Sequence, residues 1–177
     1  MKKLFVVTFA VFSTGICAQQ KNSVKVNPVS LVFGGGSDLV SYERAINEHS
    51  SIGVSAGYAK FTVNSYVYNY TGGNAFYRYY TKEVLNGFYV SGSLGVGGGR
   101  TTYTSNNKSM RDNYTAFDIG ALIGYQWLFS SGFTIDVNGG ASYMTLNYKE
   151  DNKMPRPNNV KGSAFLPTLG VGLGYSF

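Results

Sequence analysis

The chain has 177 residues, of which 14% are charged, 16% are aromatic and 23 are glycine; an ordinary soluble domain carries roughly 25% charge. Mean hydropathy is −0.09, and after the N-terminal segment no run approaches the roughly 18 apolar residues of a spanning helix, which excludes a helical membrane protein. The formal charge of +6 is not gathered into a Lys/Arg cluster beside aromatic strand positions, which argues against nucleic-acid binding.

In chain order, residues 1–18 read as a secretory signal peptide. Lys2 and Lys3 precede an apolar run from Leu4 to Phe12, and Ile16-Cys17-Ala18 offers cleavage after Ala18. Ile16 is a poor residue ahead of a lipidated cysteine, so Cys17 is not read as a lipid anchor. It is the only cysteine, so the mature chain has no disulfide, thiol nucleophile or thiolate metal site. Residues 19–177 fit a single domain.

A period of two then recurs eight times. The first predicted strand carries Val29, Leu31 and Phe33. The second carries Val40 and Tyr42, and the third Ile52, Val54, Ala56 and Tyr58. The fourth carries Ala75, Tyr77 and Tyr79, against Phe76, Arg78 and Tyr80. Phe88 to Val96, Phe117 to Trp127 and Phe133 to Tyr143 supply three more. The last, Leu169, Val171, Leu173, Tyr175 and Phe177, alternates without error against Gly170, Gly172, Gly174 and Ser176. The connections predicted at 34–37, 46–50, 83–86 and 129–132 are short; those at 64–73, 100–113 and 147–162 are long. Aromatics collect near strand ends: Tyr42, Tyr79, Phe88, Trp127, Phe133, Tyr175 and Phe177 at one level, Tyr58, Tyr103, Phe117, Tyr143 and Phe165 at the other. Two interfacial girdles are expected from this spacing.

The closing strand resembles that of bacterial outer-membrane β-barrels, and the mature chain from about Val24 resembles the small OmpA/OmpX-type barrels. Asn27-Pro28-Val29-Ser30-Leu31-Val32-Phe33-Gly34, Ser41-Tyr42-Glu43-Arg44-Ala45 and Arg78-Tyr79-Tyr80 are similar to a group of such barrels with no assigned biochemistry. The resemblance implies an all-β, eight-stranded antiparallel transmembrane barrel of the Gram-negative cell outer membrane, with short periplasmic turns and longer extracellular loops. It implies outer-membrane lipid and lipopolysaccharide as surroundings. It also implies that Leu169, Val171, Leu173, Tyr175 and Phe177 form the signal read by the barrel-assembly machinery. A monomer is expected. A soluble eight-stranded barrel would want Lys, Glu and Thr on its water face, and these strands carry too few.

Little here points to catalysis. The one histidine, His49, falls in a predicted periplasmic turn, away from the outer leaflet where an acyl-transferring or deacylating site would lie. Scattered carboxylates and a single histidine do not make a metal site, and no cofactor is expected. Gly34-Gly35-Gly36 and Gly97-Gly98-Gly99 lack the Lys-Ser/Thr of a phosphate loop. The expected function is non-enzymatic, a structural or surface-interaction role, with a narrow pore as the alternative.

Four charges share the parity of the small-residue face: Glu43, Arg78, Asp118 and Asp136. A charge facing lipid at midplane costs roughly 2–4 kcal/mol for Arg, so all four are expected in the lumen, with Arg78 bridging Glu43, Asp136 or both through its fork of donors. Tyr66, Tyr68 and Tyr70 are expected to form an outward extracellular aromatic patch. The mixed charges of 147–162, Lys149 to Lys161 with Pro155 and Pro157, read as a solvated loop.

Overall fold

A computed structural model of the chain describes residues 20–32, 38–63, 66–105, 108–148 and 163–177. Eight antiparallel strands close into a barrel: β1 (Asn22–Val26), β2 (Val40–Ala45), β3 (Ser50–Val63), β4 (Tyr66–Tyr80), β5 (Gly87–Ser105), β6 (Lys108–Leu128), β7 (Phe133–Tyr148) and β8 (Ser163–Ser176). A single turn of helix, α1 (Pro28–Val32), lies between β1 and β2. Each strand pairs with the next, and β8 returns to β1 with Ser23 opposite Ser176 and Val26 opposite Leu173. Further closure comes from the chain end. The Phe177 carbonyl accepts the Lys21 and Asn22 amides at 3.1 and 2.9 Å, and the Phe177 amide donates to the Asn22 carbonyl.

The alternation seen in the sequence sets which face is buried. Val54, Leu94, Ile119, Ile123 and Leu169 project outward and stay exposed, Leu169 to 80%. Ser51, Glu43, Gln126, Thr134 and Asp136 project inward and are buried. The barrel is therefore apolar outside and polar inside. The outward aromatics keep a constant spacing: Trp127 and Phe117 on β6, Phe133 and Tyr143 on β7, and Tyr175 and Phe165 on β8 are each ten residues apart. Tyr103, assigned from sequence to the upper ring, has inward parity on β5 and packs at 4.7 Å on Tyr66 instead.

Three features differ from the sequence expectations. Residues 29–32 are helix, and the first strand lies earlier, at Asn22–Val26. Asn27 caps α1, its Oδ1 accepting the Ser30 amide at 3.2 Å, and Pro28 occupies the first helical position. Asn-Pro is a helix start, and that local chemistry overrides the imperfect alternation of Val29 and Leu31. The connection from β1 to β2 therefore spans 27–39; its residues 33–37, with Phe33 and the short connection placed at 34–37, lie outside the described residues. The long connections expected at 64–73 and 100–113 are mostly strand, so β5 and β6 reach 19 and 21 residues beside 5 and 6 in β1 and β2. Alternation and cross-strand pairs such as Tyr66 with Tyr103 carry the ladder on. Residues 1–18 and the loop charges from Lys149 to Lys161 lie outside the described residues.

The end with the tight connections 46–49, 81–86 and 129–132 is plugged. Val84 and Leu85 of the β4–β5 connection fold under the barrel and bury against Tyr80 and Tyr89, with Ala45 and Leu128 beside them. The Val84 amide donates to the Glu48 carbonyl at 2.8 Å, and the Leu128 amide to Asn86 Oδ1 at 3.4 Å, tying this turn to the β2–β3 connection and to the end of β6. Leu85 has φ +65°, a left-handed conformation that costs a residue with a Cβ on the order of 1–3 kcal/mol. Complete burial of its side chain offsets that cost. Leu85→Ala should lower unfolding stability by about 2–4 kcal/mol, read as the shift in urea midpoint of the folded, fast-migrating band.

Candidate functional site

Above the plug lies a cross-barrel charge cluster. Lys25 Nζ donates to Glu43 Oε2 at 2.6 Å, Gln126 Oε1 at 2.7 Å and Asp136 Oδ2 at 2.9 Å. Arg78 Nη1 donates to Asp136 Oδ2 at 2.5 Å, Glu43 Oε2 at 3.2 Å and Gln126 Oε1 at 3.3 Å. Two cations thus face two carboxylates, all nearly inaccessible, with Glu43 at 0% and Asp136 at 1% exposure. The remaining carboxylate oxygens are also satisfied. Tyr80 and Ser51 hydroxyls donate to Glu43 Oε1 at 2.7 and 2.5 Å. The Tyr89 hydroxyl and Asn138 Nδ2 donate to Asp136 Oδ1 at 2.7 and 3.0 Å. The Arg78 guanidinium carbon stands 4.2 Å from the Tyr89 ring centroid and 4.9 Å from that of Phe76, so its faces meet aromatic rings as its edge meets oxygen.

The cluster draws on seven strands: Lys25 from β1, Glu43 from β2, Ser51 from β3, Arg78 from β4, Tyr89 from β5, Gln126 from β6 and Asp136 from β7. Small inward residues make room for it. A Cβ at Gly124 would stand 2.5 Å from the Tyr89 hydroxyl, so only glycine lets that ring lie flat against β6.

Glu43, Arg78 and Asp136 are brought together; Asp118 is not. It lies eight residues along β6 from Gln126, about 26 Å of strand, beside Gly95 and Asn74. Its Oδ2 has no hydrogen-bond partner among the described residues. Lys25 and Gln126 were missed from sequence. Lys25 was hidden by the misplaced first strand, although Val24-Lys25-Val26 already alternates and two inward acids call for a second cation. Gln126 sat on the inward face but was uncharged.

The tyrosine patch needs correction. Tyr66, Tyr68 and Tyr70 keep the parity of Arg78 along an unbroken β4, so they face the barrel axis and not the outside. Tyr70 is buried with Ala59, Tyr114 and Ala116. Tyr66 and Tyr68 stack at 6.3 Å and are half-buried. His49 stays in the tight turn, its ring 6.0 Å from that of Tyr79.

Between the charged floor and these tyrosines is a cavity of about 740 Å³. Its wall is mixed, with Ser41, Ser55, Ser91, Asn138 and Asp118 beside Leu122, Met144 and Leu146.

Arg78→Ala should leave two carboxylates sharing Lys25 alone. The expected loss is roughly 3–5 kcal/mol of unfolding stability if the cluster stays dry. Lys60→Ala, an exposed site on β3, should fall within about 0.5 kcal/mol of the parent. Urea titration followed by gel mobility gives both.

The N-terminal β-barrel domain of Pseudomonas aeruginosa OprF is similar at 16% identity with a TM-score of 0.49, over 90% of this chain and 98% of that one. No curated protein matches the chain. A family model covers residues 4–177, nearly the whole length. The chain belongs to that family, described as protein of unknown function (DUF3575).

Proposed function

We propose that this protein is a non-enzymatic β-barrel of the outer membrane, with a structural or surface-interaction role in the cell envelope and a lumen that does not conduct. The observation carrying the reading is the exposed apolar wall around a charged interior. A soluble monomer rarely leaves a contiguous apolar patch beyond a few hundred Å², and this wall runs round β2 to β8 through residues such as Val54, Leu94, Ile119 and Leu173. The two aromatic levels fit the same account. Ten residues at about 3.3 Å each, tilted by about 40°, give roughly 25 Å, the height of a lipid-facing band.

Short turns belong on the periplasmic side of such barrels. The plugged end, where Lys21 meets Phe177, then faces the periplasm, and the long hairpins β3–β4 and β5–β6 rise above the outer leaflet. The closing residues Leu169, Val171, Leu173, Tyr175 and Phe177 would be read by the barrel-assembly machinery, and outer-membrane lipid and lipopolysaccharide would surround a monomer. The apolar plug and the ion cluster, stacked at one end, support a closed lumen. The site chemistry supports no enzymatic role, because its carboxylates, cations and hydroxyls are engaged with one another.

The protein should fractionate with outer membranes, and its gel mobility in SDS should change on boiling. In planar bilayers the unsubstituted barrel should show no steady large openings. Recovery in the soluble periplasm would contradict the location, and sustained conductance would contradict the closed lumen and favour a pore.

A further inference from the structure

The barrel wall is uneven, and the cavity reaches the outside through its thin part. β1 ends at Val26, opposite Leu173, so among the described residues the half of β8 beyond that point has no strand on its β1 side. β2 likewise begins at Val40, opposite Ala56, leaving upper β3 without a strand neighbour on that side among the described residues. Among the described residues only 27–32 and 38–39 occupy the breach, with α1 packed against β8. Pro167 lies in this half of β8, as expected of an edge, because a proline has no amide to donate.

The residues lining the cavity show where it opens. Asp136, Arg78 and Leu122 point inward, whereas Val26, Pro167 and Leu169 have outward parity, and all six line the same cavity. An outward residue can border a lumen only where the wall is interrupted. Leu169 lies between Tyr175 and Phe165 on β8, so the mouth falls between the two aromatic levels, in the hydrocarbon layer if the barrel spans the outer membrane.

We propose that this cavity is a binding site for a neutral, single-chain amphiphile that enters laterally from the membrane, its hydroxyl-bearing head over the charged floor and its tail leaving past Leu169. This rests on the outer-membrane reading above. The volume of about 740 Å³ lies within the roughly 300–1,000 Å³ of ordinary ligand sites, which suits one chain and one small head. Above the floor the cavity is lined by the hydroxyls of Ser41, Ser55 and Ser91 and the amide of Asn138. A hydroxyl both accepts and donates, so a polyol head can pair with hydroxyls and amides alike. The head is neutral because the floor is already balanced: Lys25 and Arg78 against Glu43 and Asp136. A further negative charge would have no counter-ion and would share the cavity with Asp118.

The test uses the folded barrel in phosphatidylcholine vesicles and a monoglyceride brominated on its chain, which quenches tryptophan on contact. Leu122 faces the cavity and Ile123 faces outward. In a Trp127→Phe background, Leu122→Trp should be quenched saturably at about one monoglyceride per barrel, and excess unbrominated monoglyceride should reverse it. Ile123→Trp should be quenched in proportion to bulk mole fraction, without saturation. Ser93→Phe, which fills the cavity, should abolish the saturable component. The matching brominated fatty acid, ionised, should compete about tenfold more weakly, for the cost of an unpaired buried charge. Absent quenching at position 122, or quenching that merely follows Ile123→Trp, would overturn the site; equal competition by the acid would overturn the neutral head. Should Leu122→Trp misfold, native mass spectrometry of the unsubstituted barrel replaces it: one retained monoglyceride supports the site and none overturns it. Insertion into vesicles without saturable binding defeats this inference alone, whereas failure to insert at all defeats the outer-membrane reading with it.

Discussion

Four buried charges hold the barrel shut where its own ladder is weakest. β1 is paired with β2 at five positions and with β8 at four, a small allotment of backbone hydrogen bonds for the two strands that complete the ring. Lys25 and Glu43 stand on those strands and reach across the lumen to Asp136 and Arg78 on β7 and β4. Each ion would be costly alone in a dry interior; matched in number, with every carboxylate oxygen hydrogen-bonded, they convert that cost into a requirement that the seven contributing strands be present. Tyr80, Tyr89, Ser51 and Gln126 complete the shell, so removing any charge strands another.

The cluster also divides the lumen. Below it, Val84 and Leu85 form an apolar stopper under Tyr80 and Tyr89. Above it, the lumen is lined by serine, asparagine and Asp118 together with tyrosine, leucine and methionine. The same shortness of β1 and β2 that makes the cluster necessary also leaves β8 beside Leu169 without a strand on its β1 side among the described residues. A closed base and an interrupted side are thus two consequences of one unequal division of strand length, in which β5 and β6 are several times longer than β1 and β2.

Much of the fold was legible because period two is a strong signal when both faces are extreme. The glycine, serine and alanine face opposite Leu169, Val171, Leu173 and Tyr175 leaves only one assignment of inside and outside, and the same parity places Glu43, Arg78 and Asp136 inward. The failures have physical causes. Val29 and Leu31 imitate a strand, but Asn27 and Pro28 start a helix there, and with that displacement Lys25 went unseen. Tyr66, Tyr68 and Tyr70 fall in the connection predicted at 64–73, where nothing fixes a face, whereas the unbroken register of β4 turns them inward. The breach in the wall was not legible, because it depends on where two short strands end relative to their neighbours.

The central claim is that Lys25 and Asp136 are energetically coupled across the lumen. A double-mutant cycle with Lys25→Met and Asp136→Leu, read by urea unfolding of the barrel in lipid vesicles, measures that coupling directly. The account predicts an interaction of about 1.5–3 kcal/mol, with the double variant more stable than the sum of the single losses implies. Additive losses, within about 0.5 kcal/mol, would mean that the two groups do not act together and that something other than the cluster closes the barrel.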